Sequence, residues 1–151
     1  MFKWWFTPPL PIGTPAPDFS LPDQDGSRVT LSALRGKNVV VVFYPADNTS
    51  VCTQQLCEFR DQWAEVKARN ALVFGMNGIR LRPKAAFHKK YQFPFPLLYD
   101  KGQQIAAQYQ SNGLAMKFPV RRTVYLIGPD GVIRYARRGK PSPEEVLAAA
   151  A

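Results

Sequence analysis

The chain is poor in metal-binding and cross-linking residues: 151 residues contain two cysteines and one histidine. Two cysteines are too few for a disulfide scaffold. One histidine, His88, far from both cysteines, leaves no spacing that could supply the roughly four ligands of a zinc site. No apolar run approaches the roughly 20 residues needed to cross a bilayer, which excludes a membrane span. Acidic residues are also scarce: 11 Asp and Glu against 20 Lys and Arg leave a net charge of +9. Such a balance suits phosphate-rich partners. The basic residues, however, are scattered and form no recognition motif, so they are read as solvated charge and no nucleic-acid binding is expected.

Hydrophobic residues make up 46% of the chain and charged ones 21%, the proportions of an ordinary globular protein. A chain of this size forms one domain and buries roughly 70% of its unfolded surface. Residues 1–12 read as a tail and 13–151 as the domain. The tail begins MFKWWF, whose aromatics suit a membrane interface or the remnant of a longer signal segment. Six residues bury little area, so an unordered end, or one packed on the domain, is the favoured reading. The proline-rich residues 7–17 read as an extended spacer.

The informative stretch is residues 39–61, VVVVFYPADNTSVCTQQLCEFRD. Residues 39–43 are a continuous β-branched and aromatic run, suited to a strand covered on both faces. Tyr44 and Pro45 end it. Asp47, Asn48, Thr49 and Ser50 are turn and N-cap types, and Leu56, Phe59 and Trp63 then recur at helical spacing. Cys52 therefore falls in or beside a first helical turn, where free backbone N–H groups and the positive helix end favour an anion.

Further strands are expected at residues 71–76, 97–99, 123–127 and 132–135, and a hairpin at 18–31 around Asp25-Gly26. Helices are expected at 83–91, 102–109 and 142–150. A helix between the strands at 39–43 and 71–76 makes a right-handed βαβ crossover.

The spacing Pro45-x-x-x-Thr49-x-x-Cys52 resembles the active-site loop of peroxiredoxins, cysteine-based peroxidases of the thioredoxin superfamily. With Cys57 five residues after Cys52, the stretch is similar to the bacterioferritin comigratory protein or PrxQ type. APDFSLPDQDG, FPFPLLYD and RTVYLIGPDG extend the resemblance from about Gly13 to about Gly139. Two departures, Ser50-Val51 in place of a frequent Pro-Gly and Asn77-Gly78-Ile79-Arg80 in place of a Ser-x-Asp-Ser-like turn, are expected to alter the pocket rim.

The resemblance implies an α/β thioredoxin-like fold, a central mixed sheet flanked by helices with an extra N-terminal hairpin. It implies that Cys52 attacks hydrogen peroxide or an alkyl hydroperoxide and that Cys57 resolves the sulfenic acid as a Cys52–Cys57 disulfide. Thr49 would hydrogen-bond sulfur and peroxide, Pro45 would shield the sulfur, and Arg122, preferred by register over Arg121, would pair with the thiolate. No haem, flavin or metal is implied. The partner would be thioredoxin or a glutaredoxin-like reductant, the protein a monomer or weak dimer, and the location cytoplasmic.

Residues five apart in a regular helix lie roughly 8.7 Å apart at Cα, beyond the roughly 7 Å a disulfide tolerates. The helix must therefore open in each cycle. Two rival readings are a thioredoxin-type protein disulfide oxidoreductase, disfavoured because four residues separate the cysteines where Cys-x-x-Cys has two, and a basic nucleic-acid or membrane-surface module with a vestigial site.

Overall fold

A computed structural model describes residues 7–116 and 119–151; the MFKWWF segment lies outside the described residues. Seven strands and five α-helices follow in chain order: β1 (Ser20–Pro22), β2 (Arg28–Thr30), β3 (Asn38–Phe43), α1 (Ser50–Asp61), α2 (Trp63–Ala68), β4 (Ala71–Asn77), α3 (Leu81–Tyr91), β5 (Leu97–Tyr99), α4 (Gln104–Gln108), β6 (Thr123–Ile127), β7 (Ile133–Arg138) and α5 (Pro143–Leu147). The main sheet has the order β5-β4-β3-β6-β7, and β1-β2 form a separate antiparallel hairpin. β3 pairs in parallel with β4 and antiparallel with β6, which makes the sheet mixed. The expected thioredoxin-like architecture and the extra hairpin are both present.

β3 is the middle strand, and all six of its residues are buried. Its side chains alternate between two cores, as the strand period of two requires. Val40, Val42 and Tyr44 join Leu56, Phe59, Val66, Phe87 and Val146 on the face covered by α1, α2, α3 and α5. Val39, Val41 and Phe43 join Phe19, Tyr109 and Tyr125 on the face covered by the hairpin and α4. A strand sandwiched this way needs apolar residues at every position, which explains the unbroken valine run.

Several elements differ from expectation at their ends. The crossover helix breaks at Gln62, whose φ of −101° and ψ of 22° leave the helical region, so it becomes α1 and α2. The helix expected from residue 102 starts at Gln104, because Gly102 and Gln103 take positive φ. The Asp100 carboxylate accepts the backbone N–H groups of Ile105 and Ala106 at 3.0 and 2.8 Å instead. α5 is shorter than expected, although Ser142 caps it through Glu145 as its residue type suggests.

Residues 7–17 turn at 12–14, where the Thr14 N–H donates to the Pro11 carbonyl at 3.2 Å, and they are no free spacer. The Leu10 N–H donates to the Tyr125 hydroxyl at 2.9 Å, and the Thr7 carbonyl accepts from Arg138 at 2.7 Å and Arg121 at 3.3 Å. Gly13 and Ala16 bond to Ile133 and Gly131, and Pro15 bridges to Val132. A segment with few internal hydrogen bonds satisfies its backbone against the domain it crosses.

Candidate active site

Antiparallel register fixes the geometry. Phe43 pairs with Thr123, so the next step along the same ladder sets Arg122 opposite Tyr44, where the chain leaves β3 toward α1. Thr49 is the N-cap of α1 with extended backbone, which puts Cys52 in the first turn at the third helical position. The two meet: the Arg122 guanidinium donates to the Cys52 sulfur at 3.3 Å and to Gln55 Oε1 at 2.7 Å. Cys52 is 1% exposed. A guanidinium held by Gln55 donates to this sulfur, and the residue lies in the first turn of a helix; both a cation and a positive helix end favour an anion.

Arg121 points elsewhere. It donates to the carbonyls of Asn112 at 3.2 Å and Gln110 at 2.6 Å, on the far face of β6. Alternation along the strand separates the neighbours. Arg138 shares that region, donating to Gln110, Thr7, Thr123 and Ser111. Burial, together with Arg121, holds the Arg138 guanidinium down to about 10. These two arginines are not the freely solvated charge that their scatter in the sequence suggests.

Thr49 donates its hydroxyl to the Ala46 carbonyl at 3.2 Å, bracing the loop, while its own carbonyl receives the Thr53 N–H at 2.8 Å. The hydroxyl oxygen remains an acceptor. Pro45, half-buried, lines a cleft of about 240 Å³ with Ala46, Ile79, Gln103, Pro119 and Val120. Cys57 lies on the same helix, partly buried against the core, and both cysteines are free thiols. Burial pushes the Cys57 thiol up, with Arg60 opposing and Asp61 reinforcing the shift. His88 is half-buried and its ring bonds to the Phe95 carbonyl at 3.0 Å.

Sequence reasoning missed two features. Gln55, 1% exposed, braces Arg122 from one turn along α1; an amide at a helical core position is the signal that could have found it. The second is a buried polar cluster beneath the loop. Lys84, fully buried, donates to Asn77 Oδ1 at 2.6 Å, to Asp47 Oδ1 at 3.1 Å and to the Tyr44 hydroxyl at 3.2 Å. Asn77, in the turn expected to shape the pocket rim, is 1% exposed and belongs to this cluster. Among the described residues no group of three or more His, Cys, Asp or Glu could hold a metal, and no helix is long and apolar enough to cross a membrane.

Comparison with known proteins gives a consistent result. The AhpC/TSA family model matches residues 12–136. Chloroplastic peroxiredoxin Q of Triticum aestivum is 40% identical over 134 residues, covering 88% of this chain; the chain spans 61% of that relative's length. The putative peroxiredoxin bcp of Coxiella burnetii is 36% identical over 129 residues, 82% of this chain and 85% of the relative. In three dimensions, the crystal structure of peroxidoxin BcpB from Mycobacterium tuberculosis superposes with a TM-score of 0.85 at 34% identity, covering 91% of this chain and 94% of that one.

Proposed function

The chain belongs to the AhpC/TSA family, among peroxiredoxins of the Q and bcp type, and from that premise we propose that it is a thiol peroxidase in which Cys52 is oxidised and Cys57 resolves. The observation that carries the reading is the Arg122 guanidinium 3.3 Å from a buried sulfur in the first turn of a helix. In the first step the Cys52 thiolate attacks one oxygen of a hydroperoxide. The O–O bond breaks, Cys52 becomes a sulfenic acid, and the other oxygen takes a proton and leaves as water or an alcohol. Arg122 stabilises the charge on the departing oxygen as well as on the sulfur, which is the larger electrostatic contribution available here. Gln55 fixes the guanidinium plane. Thr49, held by the Ala46 carbonyl, offers its hydroxyl at the start of α1, and Pro45, where the chain leaves β3, shields the sulfur.

In the second step the Cys57 thiol attacks the Cys52 sulfenic sulfur, an S–S bond forms, and the sulfenic oxygen leaves as water. Five residues of regular helix hold the Cα atoms roughly 8.7 Å apart, so α1 opens over residues 49–59 before this bond can form. An external dithiol protein of the thioredoxin or glutaredoxin type then reduces the disulfide, itself becoming oxidised. A cytoplasmic location, where such reductants operate, goes with this reading.

The test is peroxide consumption by the purified protein with a thioredoxin system as electron donor. Cys52→Ser is expected to abolish it. Cys57→Ser is expected to consume about one equivalent of peroxide per protein and stop. Continued turnover by Cys52→Ser would overturn the reading.

A further inference from the structure

Beneath the loop that carries Pro45 and Thr49 lies the one fully buried lysine among the described residues. The Lys84 ammonium has three acceptors, in Asn77, Asp47 and Tyr44. The Tyr44 hydroxyl donates to Asp47 Oδ1 at 2.5 Å, and the Asn77 amide donates to the same oxygen at 3.1 Å. The Ile79 N–H in turn donates to Asn77 Oδ1 at 3.0 Å. Asp47 is the only one of the four on the loop itself. Its carboxylate ties that loop to the end of β3, the end of β4 and the first turns of α3.

The cluster is coupled to the cysteine helix through Tyr44. Gly75 leaves a gap in β4 that the Leu97 side chain of β5, the Tyr44 ring and the Leu56 side chain of α1 fill together. A Cβ at Gly75 would stand 2.9 Å from the Tyr44 ring and 3.5 Å from Leu56. When α1 unwinds so that Cys57 can reach Cys52, Leu56 must leave this contact, which uncovers the ring whose hydroxyl bonds to both Asp47 and Lys84. A buried ion pair holds a closed structure less firmly than apolar side chains of similar volume, because both ions give up hydration to be there. Opening returns that hydration.

We propose that Lys84 and Asp47 are positioning residues that set how readily the Cys52 segment opens for disulfide formation. This rests on the peroxidase reading. It predicts a pH signature that a merely structural pair would not give. Burial pulls the Lys84 ammonium from 10.5 down to about 8, against the attraction of Asp47. Tyr44 stays neutral, its hydroxyl pushed well up by burial and then by Asp47 and Cys52. Asn77 does not titrate, and the Phe87 ring packed on Tyr44 carries no charge. The closed form therefore releases the Lys84 proton near pH 8, whereas an opened, hydrated Lys84 keeps it to the ordinary value. Opening is easiest below pH 8 and becomes harder as pH rises above it.

The experiment uses the full chain in single turnover. Reduced wild type and the charge-free Asp47→Asn/Lys84→Met variant are each mixed with one equivalent of hydrogen peroxide between pH 7 and pH 9, and disulfide formation is followed by acid quench and mass spectrometry. The ratio of the wild-type rate to the variant rate cancels the titration of Cys57, which is common to both. That ratio is expected to fall about tenfold from pH 7 to pH 9. At pH 7, with excess peroxide, the variant is expected to accumulate more Cys52 sulfinic acid. There a second peroxide gives its oxygen to the waiting sulfenic acid and leaves as water. If the double variant does not fold, Lys84→Arg, charged throughout this range, serves as the reference and the same tenfold fall is expected. A ratio constant within about twofold over that range, where a free opening proton would change it tenfold, overturns this inference and leaves the peroxidase reading standing. Failure of the wild type to form any Cys52–Cys57 disulfide overturns both.

Discussion

Arg121 and Arg122 are adjacent in sequence and serve opposite faces of one strand. Arg122 meets a cysteine sulfur and a buried amide. Arg121, with Arg138, meets the carbonyls of Gln110, Asn112 and Thr7. Both regions bury cations with no carboxylate among these partners. They differ in what the partner can become. Carbonyls offer fixed partial charge, so the Arg121 and Arg138 bonds fasten the strap of residues 7–10 and the turn after α4. In the proposed reaction the sulfur gains a full charge and passes it to a leaving oxygen, so the Arg122 contact would strengthen as that reaction proceeds. One residue type gives architecture on one face and chemistry on the other.

The comparison breaks if Arg122 proves structural. Arg122→Ala is expected to slow the second-order oxidation of Cys52 by about 10²–10³, the loss typical of removing one charge-stabilising donor, with thermal stability little changed. Stopped-flow measurement on a Cys57→Ser background isolates that step. A loss below about fivefold would show that the guanidinium does not act on the transition state.

The opposite outcome is expected across the strand. Arg138→Ala removes four hydrogen bonds of a half-buried group, two to carbonyls and two to hydroxyls, and is expected to cost about 2 kcal/mol of stability, read from denaturant midpoints. Cys52 oxidation should stay within about twofold, since neither stability class of contact touches the sulfur. Arg121→Ala should behave likewise, at about 1 kcal/mol. Amide exchange should show the protection of Leu10 and Gly13 falling in Arg138→Ala, which would confirm that the strap is what these arginines hold.

The smallest effect sharpens the comparison on the Arg122 side. Gln55→Ala leaves the guanidinium in place and removes only its brace, so Cys52 oxidation is expected to fall by about five- to tenfold, the equivalent of one hydrogen bond. Gln55→Glu should restore the orientation and return most of that rate. Rescue by Glu with no rescue by Leu would assign Gln55 to orientation and not to packing.

The strands, the central position of β3 and the cysteine at a helix start were legible in the sequence because each follows from local rules: an apolar run, a cluster of capping residues, helical spacing of Leu56 and Phe59. The meeting of Arg122 with Cys52 was legible through the family's spacing and flanking words; the roles given to Pro45 and Thr49 rest on that resemblance. Helix ends were read less well, since residues such as Gln62, Gly102 and Gln103 change the backbone locally without changing the apolar pattern. The spacer reading of residues 7–17 missed their docking because a proline-rich segment has the same composition whether it hangs free or lies on Tyr125 and Arg138.

Sequence alone therefore determined the order of elements, the two-faced burial of β3 and the residues competent for thiol chemistry, all properties carried by short-range pattern. Tertiary structure decided the rest: that Gln55 braces Arg122, that Thr49 turns its hydroxyl to Ala46, that Arg138 holds the strap, and that Lys84, 37 residues from Asp47, sits fully buried under the active loop. Those pairings join residues far apart in the chain. A polar side chain displays the same pattern whether it ends in solvent or in a buried partner, and only the packing of the loop, β4 and α3 around Lys84 distinguishes the two.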